Sequence, residues 1–158
     1  MAPLIALIVV TALARLAGAL QLAKGRFTTL PDALSAGVAA MFLITGGAHF
    51  IGLREELIKM VPAAFGNPGF WVTFTGVAEI AGAIGILIPS LRRAAAIGLL
   101  LLLVAVFPAN VRAANEKLTI AGQPATPLIQ RSLEQVFFLA VTGWAGFGHR
   151  KTTEQDVN

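Results

Sequence analysis

The sequence predicts an all-α fold, a polytopic bundle of membrane-spanning helices. Three observations carry that expectation. Of its 158 residues 56% are hydrophobic and only 13% charged, with a mean hydropathy of +0.78, whereas roughly a quarter of the residues in a soluble domain are charged. The apolar residues gather into five stretches, each near the ~20 residues a helix needs to cross a hydrocarbon core of about 30 Å. Charged and turn-forming residues fall between the stretches, which leaves little chain for a separate soluble domain. Residues 1–148 therefore read as a single transmembrane helical domain and 149–158 as a polar C-terminal tail.

The first span covers about 3–22, interrupted by Arg15 and followed by Lys24 and Arg26. Ala17-Gly18-Ala19 imitates a signal-peptidase site, but a cleaved signal carries its positive charge before the apolar run, and here the charge follows it. A retained helix with its N-terminus outside is expected. The second span covers about 33–51 and the third about 68–88. Between them, Arg54 to Met60 alternates charged and apolar positions like a short interfacial helix that stops before Pro62. Pro89, Ser90, Arg92 and Arg93 turn the chain into a fourth span, about 94–111, with LLLLLVAVF at its centre. The stretch ANEKLTIAGQPATP, Ala114 to Pro127, is rich in turn formers and reads as the longest exposed loop. It precedes the fifth span, about 128–147.

Alternating helix directions place Lys24, Arg26, Arg92, Arg93, Arg150 and Lys151 on one face and Arg54, Lys59, Arg112, Lys117 and Arg131 on the other. The first set sits tight against short turns, where the positive-inside rule has most force, so that face is assigned to the cytoplasm of a cell membrane, with the C-terminus. The formal charge of +4 then reflects loop cations facing anionic lipid rather than a nucleic-acid partner. The chain has no cysteine, which excludes disulfides, thiolate metal sites and c-type haem attachment. No P-loop, GxSxG, HExxH, EF-hand or dinucleotide fingerprint occurs, and no metal site is expected. Gly46 and Gly47 in the second span face a third span made small by Gly76, Ala78, Gly82 and Gly85, so these two helices are expected to pack closely.

Against this apolar background Glu79 stands out. It lies about ten residues into its span, on the order of 15 Å deep, where an ionised carboxylate must be protonated, paired or hydrated. Arg15 sits at a similar depth in the first span, and an Arg15–Glu79 ion pair is the candidate partner, although Arg15 can also snorkel to the interface. A second group of polar residues collects at the outer helix ends: His49, Asn110, Arg112, Arg131, Glu134 and Gln135. His49 suits a general base, a haem or metal ligand, or a polar anchor, and a lone imidazole most often anchors. Arg131 and Glu134, three apart, can satisfy each other. Thr45 and Thr75, one turn from His49 and Glu79, can extend a polar track towards the midplane. Trp71 and Trp144 read as interfacial belt residues.

The order of several motifs carries more information than any one of them: GGAHF at Gly46 to Phe50, Val61-Pro62, GVAEIAGAIGILIP from Gly76 to Pro89, LRR at Leu91 to Arg93, VAVFPAN from Val104 to Asn110, and Arg131-x-x-x-Gln135. Over about 33–147 the chain resembles the DoxX-like family of small integral membrane proteins. The resemblance implies a four-helix core with the first helix as an addition, and marks His49, Glu79, Pro108, Asn110, Arg131 and Gln135 as the family's recurrent positions. It also implies association with membrane oxidoreductase systems, such as a thiosulfate:quinone oxidoreductase. The expectation is an accessory or anchoring subunit with a quinone or lipid-like pocket, in which Glu79 is proton-linked, His49 exchanges protons, and Asn110 and Gln135 orient the ligand. Any thiol chemistry would belong to an oxidoreductase partner. The rival readings are a small-molecule carrier or binding protein without a redox role, and a purely structural membrane protein.

Overall fold

The computed structural model describes residues 2–148, so the expected tail and its charges, Arg150 and Lys151, lie outside the described residues. Within them are six α-helices: α1 Ala2–Ala19, α2 Leu30–Ala48, α3 Arg54–Met60, α4 Pro68–Leu87, α5 Arg92–Asn115 and α6 Leu128–Phe147. A 3₁₀ turn, Ala63–Phe65, follows α3, and a two-stranded hairpin, β1 Thr119–Ile120 with β2 Gln123–Pro124, precedes α6. The protein is an all-helical bundle. Helices α1, α2, α4 and α5 are each long and apolar enough to cross a membrane. The expected fifth crossing, α6, matches them in length but carries Gln130, Arg131, Glu134 and Gln135 in its first two turns and is not among those four.

Helix ends follow local chemistry. The first helix stops at Ala19, short of the expected 22, because Gln21, Lys24, Gly25 and Phe27 all take positive φ and coil the connection. Helix α2 begins at Leu30, where the Thr29 hydroxyl accepts from the Asp32 N–H as an N-cap and Pro31 occupies the first turn. Asn67 caps α4 in the same way, accepting from the Phe70 N–H at 3.1 Å. Helix α5 runs through Pro108 to Asn115, beyond the expected 111. Proline has no N–H for the carbonyl of Val104, a defect a helix tolerates when the rest of its ladder is held by packing.

Contacts across each helix pair show strictly alternating directions. Gly37 faces Leu7 and Thr11, Gly46 faces Gly76 and Glu79, Gly82 and Gly85 face Leu99 and Ala95, and Gly146 faces Ala96. One end of the bundle therefore gathers the close of α1, the start of α2, the α4–α5 turn and the close of α6. The opposite end carries α3, the 3₁₀ turn and the hairpin. Val38, Met41, Phe42, Ile86, Leu99, Leu103 and Phe138 form the buried core. The outer surface is also apolar, with Ile5, Leu13, Leu101, Val104, Leu133 and Val136 each more than half exposed. An apolar exterior of this extent suits lipid rather than water.

At the first end, the Arg92 guanidinium lies 2.9 Å from the Asp32 carboxylate and donates to the Ile86 carbonyl at 3.1 Å, tying the starts of α2 and α5 to the close of α4. At the other end, Arg54 donates to the His49 carbonyl at 3.2 Å and to the Thr73 hydroxyl at 3.0 Å, linking the close of α2 to the start of α4. A cation there also meets the negative end of the α2 dipole.

Candidate functional site

The α2–α4 crossing builds the site. A methyl group on Gly76 would stand 2.6 Å from the His49 Cβ, and one on Gly46 would stand 3.1 Å from the Glu79 Cβ. With hydrogen at both positions the two helices approach closely enough for their polar side chains to meet in the interior. Gly47, by contrast, faces open space.

Glu79 is buried at 7% exposure, on the order of 16 Å along α4 from Pro68 at 1.5 Å per residue. One carboxylate oxygen accepts a hydrogen bond from the Thr45 hydroxyl, and the other lies 3.6 Å from His49 Nε2. His49 Nδ1 lies 2.7 Å from the Val72 carbonyl. A carbonyl only accepts, so Nδ1 must carry a hydrogen, and Nε2 is the ring atom that gains or loses a proton. The Thr75 hydroxyl stands 3.3 Å from Nδ1 while donating to the Trp71 carbonyl at 2.8 Å. His49 and Glu79 thus form one unit that can hold a proton on Nε2 or on the facing carboxylate oxygen.

The unit opens on a cavity of about 540 Å³ at the end of the bundle that carries α3. Helices α2, α4, α5 and α6, with Ala2 and Pro3 at the start of α1, supply the walls, and Leu57, Met60, Val61, Pro62 and Phe65 from α3 and the connector supply the cover. Most of the lining is apolar or aromatic, including Phe42, Trp71, Phe74 and Phe138. Thr45, His49, Thr75, Glu79, Asn110 and Arg131 provide the polar points. The cover is pinned: Arg112 donates to the Val61 carbonyl and lies 2.8 Å from Glu116, the Trp71 indole donates to the Phe65 carbonyl at 2.8 Å, and the Glu56 carboxylate accepts from the Ala121 N–H at 2.7 Å.

The expected Arg15–Glu79 pair is not what the structure builds. Arg15 is exposed on α1, which packs chiefly on α2, and it lines a separate groove with Thr11, Leu34 and Val141. Residue counting suggested a shared depth, but Arg15 stands beside Leu30 and Leu34 whereas Glu79 meets Thr45, about three turns further along α2, and α2 stands between the two helices. Asn110 lines the cavity with its amide donating to Val106 in its own helix at 3.4 Å. Arg131 lines the cavity and pairs with Glu134 at 3.3 Å. Gln135 is buried away from the cavity lining, where its amide donates to the Leu103 carbonyl at 2.7 Å and ties α6 to α5. Among the described residues no three His, Cys, Asp or Glu side chains gather as a metal site. Sequence reasoning missed Arg54, whose position just past a helix C-terminus was the available signal. It also read Trp71 as a belt residue, although its indole lines the cavity.

Bundle and site together define a class: helical bundles with four potential membrane crossings and a buried imidazole–carboxylate unit at the head of an apolar cavity. The chain belongs to a family known as a domain of unknown function, DUF8561, whose family model matches residues 38–143, more than half of the chain. The matched region holds His49, Glu79, Asn110, Arg131 and Gln135 and leaves α1 and Arg15 outside. No curated protein and no solved structure matches the chain.

Proposed function

We propose that this protein is an integral membrane protein that binds a lipid-like amphiphile of the quinone class, as an accessory or anchoring subunit of a membrane oxidoreductase system. The observation that carries the reading is the cavity itself, in which an apolar and aromatic volume of about 540 Å³ ends on the His49–Glu79–Thr45 unit. Ligand pockets of this kind hold a flat or flexible apolar body and orient it through few polar groups. A quinone supplies redox chemistry when bound. His49 would orient its carbonyl and hold the proton that chemistry exchanges, with Glu79 stabilising the imidazolium and Thr45 fixing the carboxylate.

The association with an oxidoreductase is supported by the ordered motifs that resemble the DoxX-like family. A carrier for cationic solutes fits the site less well, because His49 sits beside the Glu79 carboxylate and Arg131 lines the same cavity. The proposed orientation places the cavity mouth on the outer face, opposite the Arg92-Arg93 turn.

Trp71 provides the test. The chain has two tryptophans, so Trp144→Phe leaves Trp71 as the sole indole, on the cavity wall. Titration with a short-chain benzoquinone should quench its fluorescence saturably, and His49→Phe should weaken that binding. Linear quenching, equal to that of Trp144 in a Trp71→Phe variant, would contradict the proposal.

A further inference from the structure

Arg15 takes no part in the cavity, yet a guanidinium within an apolar span must satisfy its charge. It lies four residues before the close of α1, about 6 Å from the helix end at 1.5 Å per residue, a depth from which its side chain reaches the interface. Beneath it runs a groove of about 300 Å³ between α1, α2 and α6, lined by Leu7, Ile8, Leu34, Phe137 and Val141, with Arg15 at its mouth. The lining is almost wholly apolar, so water has nothing there to bond.

Charge at this end of the bundle is one-sided. Among the described residues it gathers Arg15, Lys24, Arg26, Arg92 and Arg93, against a single carboxylate, Asp32, which Arg92 meets at 2.9 Å. The opposite end mixes signs, with Glu55, Glu56, Glu116 and Glu134 among its cations.

We propose that this groove binds one acyl chain of an anionic phospholipid, with Arg15 holding the phosphate and Lys24, Arg26 and Arg93 adding to the local field. The site is separate from the quinone-class cavity, and its test does not depend on that reading. The protein is exposed to phosphatidylcholine vesicles containing phosphatidylglycerol, extracted gently, and its retained lipid is identified by native mass spectrometry. Wild type retains phosphatidylglycerol preferentially. Arg15→Gln loses about five-fold of that preference, the scale of one cation near a membrane surface. Ala12→Phe fills the groove and loses it with Arg15 intact, whereas Arg93→Gln, off the groove, keeps most of it. Retention unchanged in both Arg15→Gln and Ala12→Phe overturns the proposal. So does rapid disulfide dimerisation of Ala12→Cys, whose thiol is the only one in the chain and which would report a second copy in the groove.

Discussion

At the scale of single residues, the buried pair is held by the Thr45 hydroxyl on one carboxylate oxygen and by the Val72 carbonyl on His49 Nδ1. Glu79→Gln keeps a group that accepts from Thr45 and can donate to His49 Nε2, so the variant should fold with a melting temperature close to wild type while losing the carboxylate that faces the imidazole. Glu79→Leu leaves His49 Nε2 without its partner, while the Thr45 hydroxyl falls back on the Met41 and Phe42 carbonyls at 3.3 Å and 3.4 Å, and should cost about 1–3 kcal/mol, read by thermal unfolding in detergent. The glycines make a sharper comparison. Gly76→Ala must displace His49 or Phe50, which lie 2.6 Å and 2.9 Å from the added carbon, and should destabilise by about 1–3 kcal/mol. Gly47→Ala meets nothing and should be neutral or stabilising by up to about 1 kcal/mol. Glu79 was legible in the sequence, because a carboxylate in an apolar stretch has few explanations. Its partner was not: His49 lies 30 positions away on another helix, and counting residues gives depth in a membrane but not the lateral order of helices. Arg15 looked like a partner because counting from the start of each span also misjudged its depth: it stands beside Leu30 and Leu34, at the other end of α2 from Thr45 and Glu79.

At the scale of elements, the helices were legible where composition and caps agree. The starts of α4 and α6 fall at the expected 68 and 128 and the glycines announced the α2–α4 contact, whereas α2 begins at Leu30 under the Thr29 cap, three residues before the expected 33. Less legible were the end of α1, where positive φ at Gln21, Lys24 and Phe27 depends on the fold around them, and the continuation of α5 through Pro108. The exposed polar loop proved to hold a short hairpin, pinned to α3 through Glu56. Helix α6 is joined to α5 by Gln135, whose amide donates to the Leu103 carbonyl one turn before Pro108. Gln135→Leu removes that bond and should cost about 1 kcal/mol, seen as a lowered melting temperature with an unchanged helical circular-dichroism spectrum. Arg54→Ala should loosen the close of α2 against α4. Since His49 stands at that close, the variant should also weaken quinone-class quenching of Trp71.

At the scale of the whole molecule, an apolar exterior and four helices of spanning length suit a bilayer, while the charge asymmetry of its two ends sets the proposed orientation. Because the chain has no cysteine, single thiols report sidedness directly. Thr119→Cys, in the hairpin, should react with an impermeant maleimide in intact cells, and Ser90→Cys, in the α4–α5 turn, only after permeabilisation; the reverse pattern would invert the orientation. All three scales meet at His49, where helix packing, the buried carboxylate and the cavity converge. The chain has two histidines, so His149→Ala leaves one imidazole to observe by ¹⁵N NMR of the untagged protein in lipid. The neutral ring should carry its hydrogen on Nδ1, donated to Val72, and Glu79→Gln should shift the Nε2 resonance. A hydrogen on Nε2, or rapid exchange between both tautomers insensitive to Glu79→Gln, would show that the imidazole and carboxylate do not form a unit.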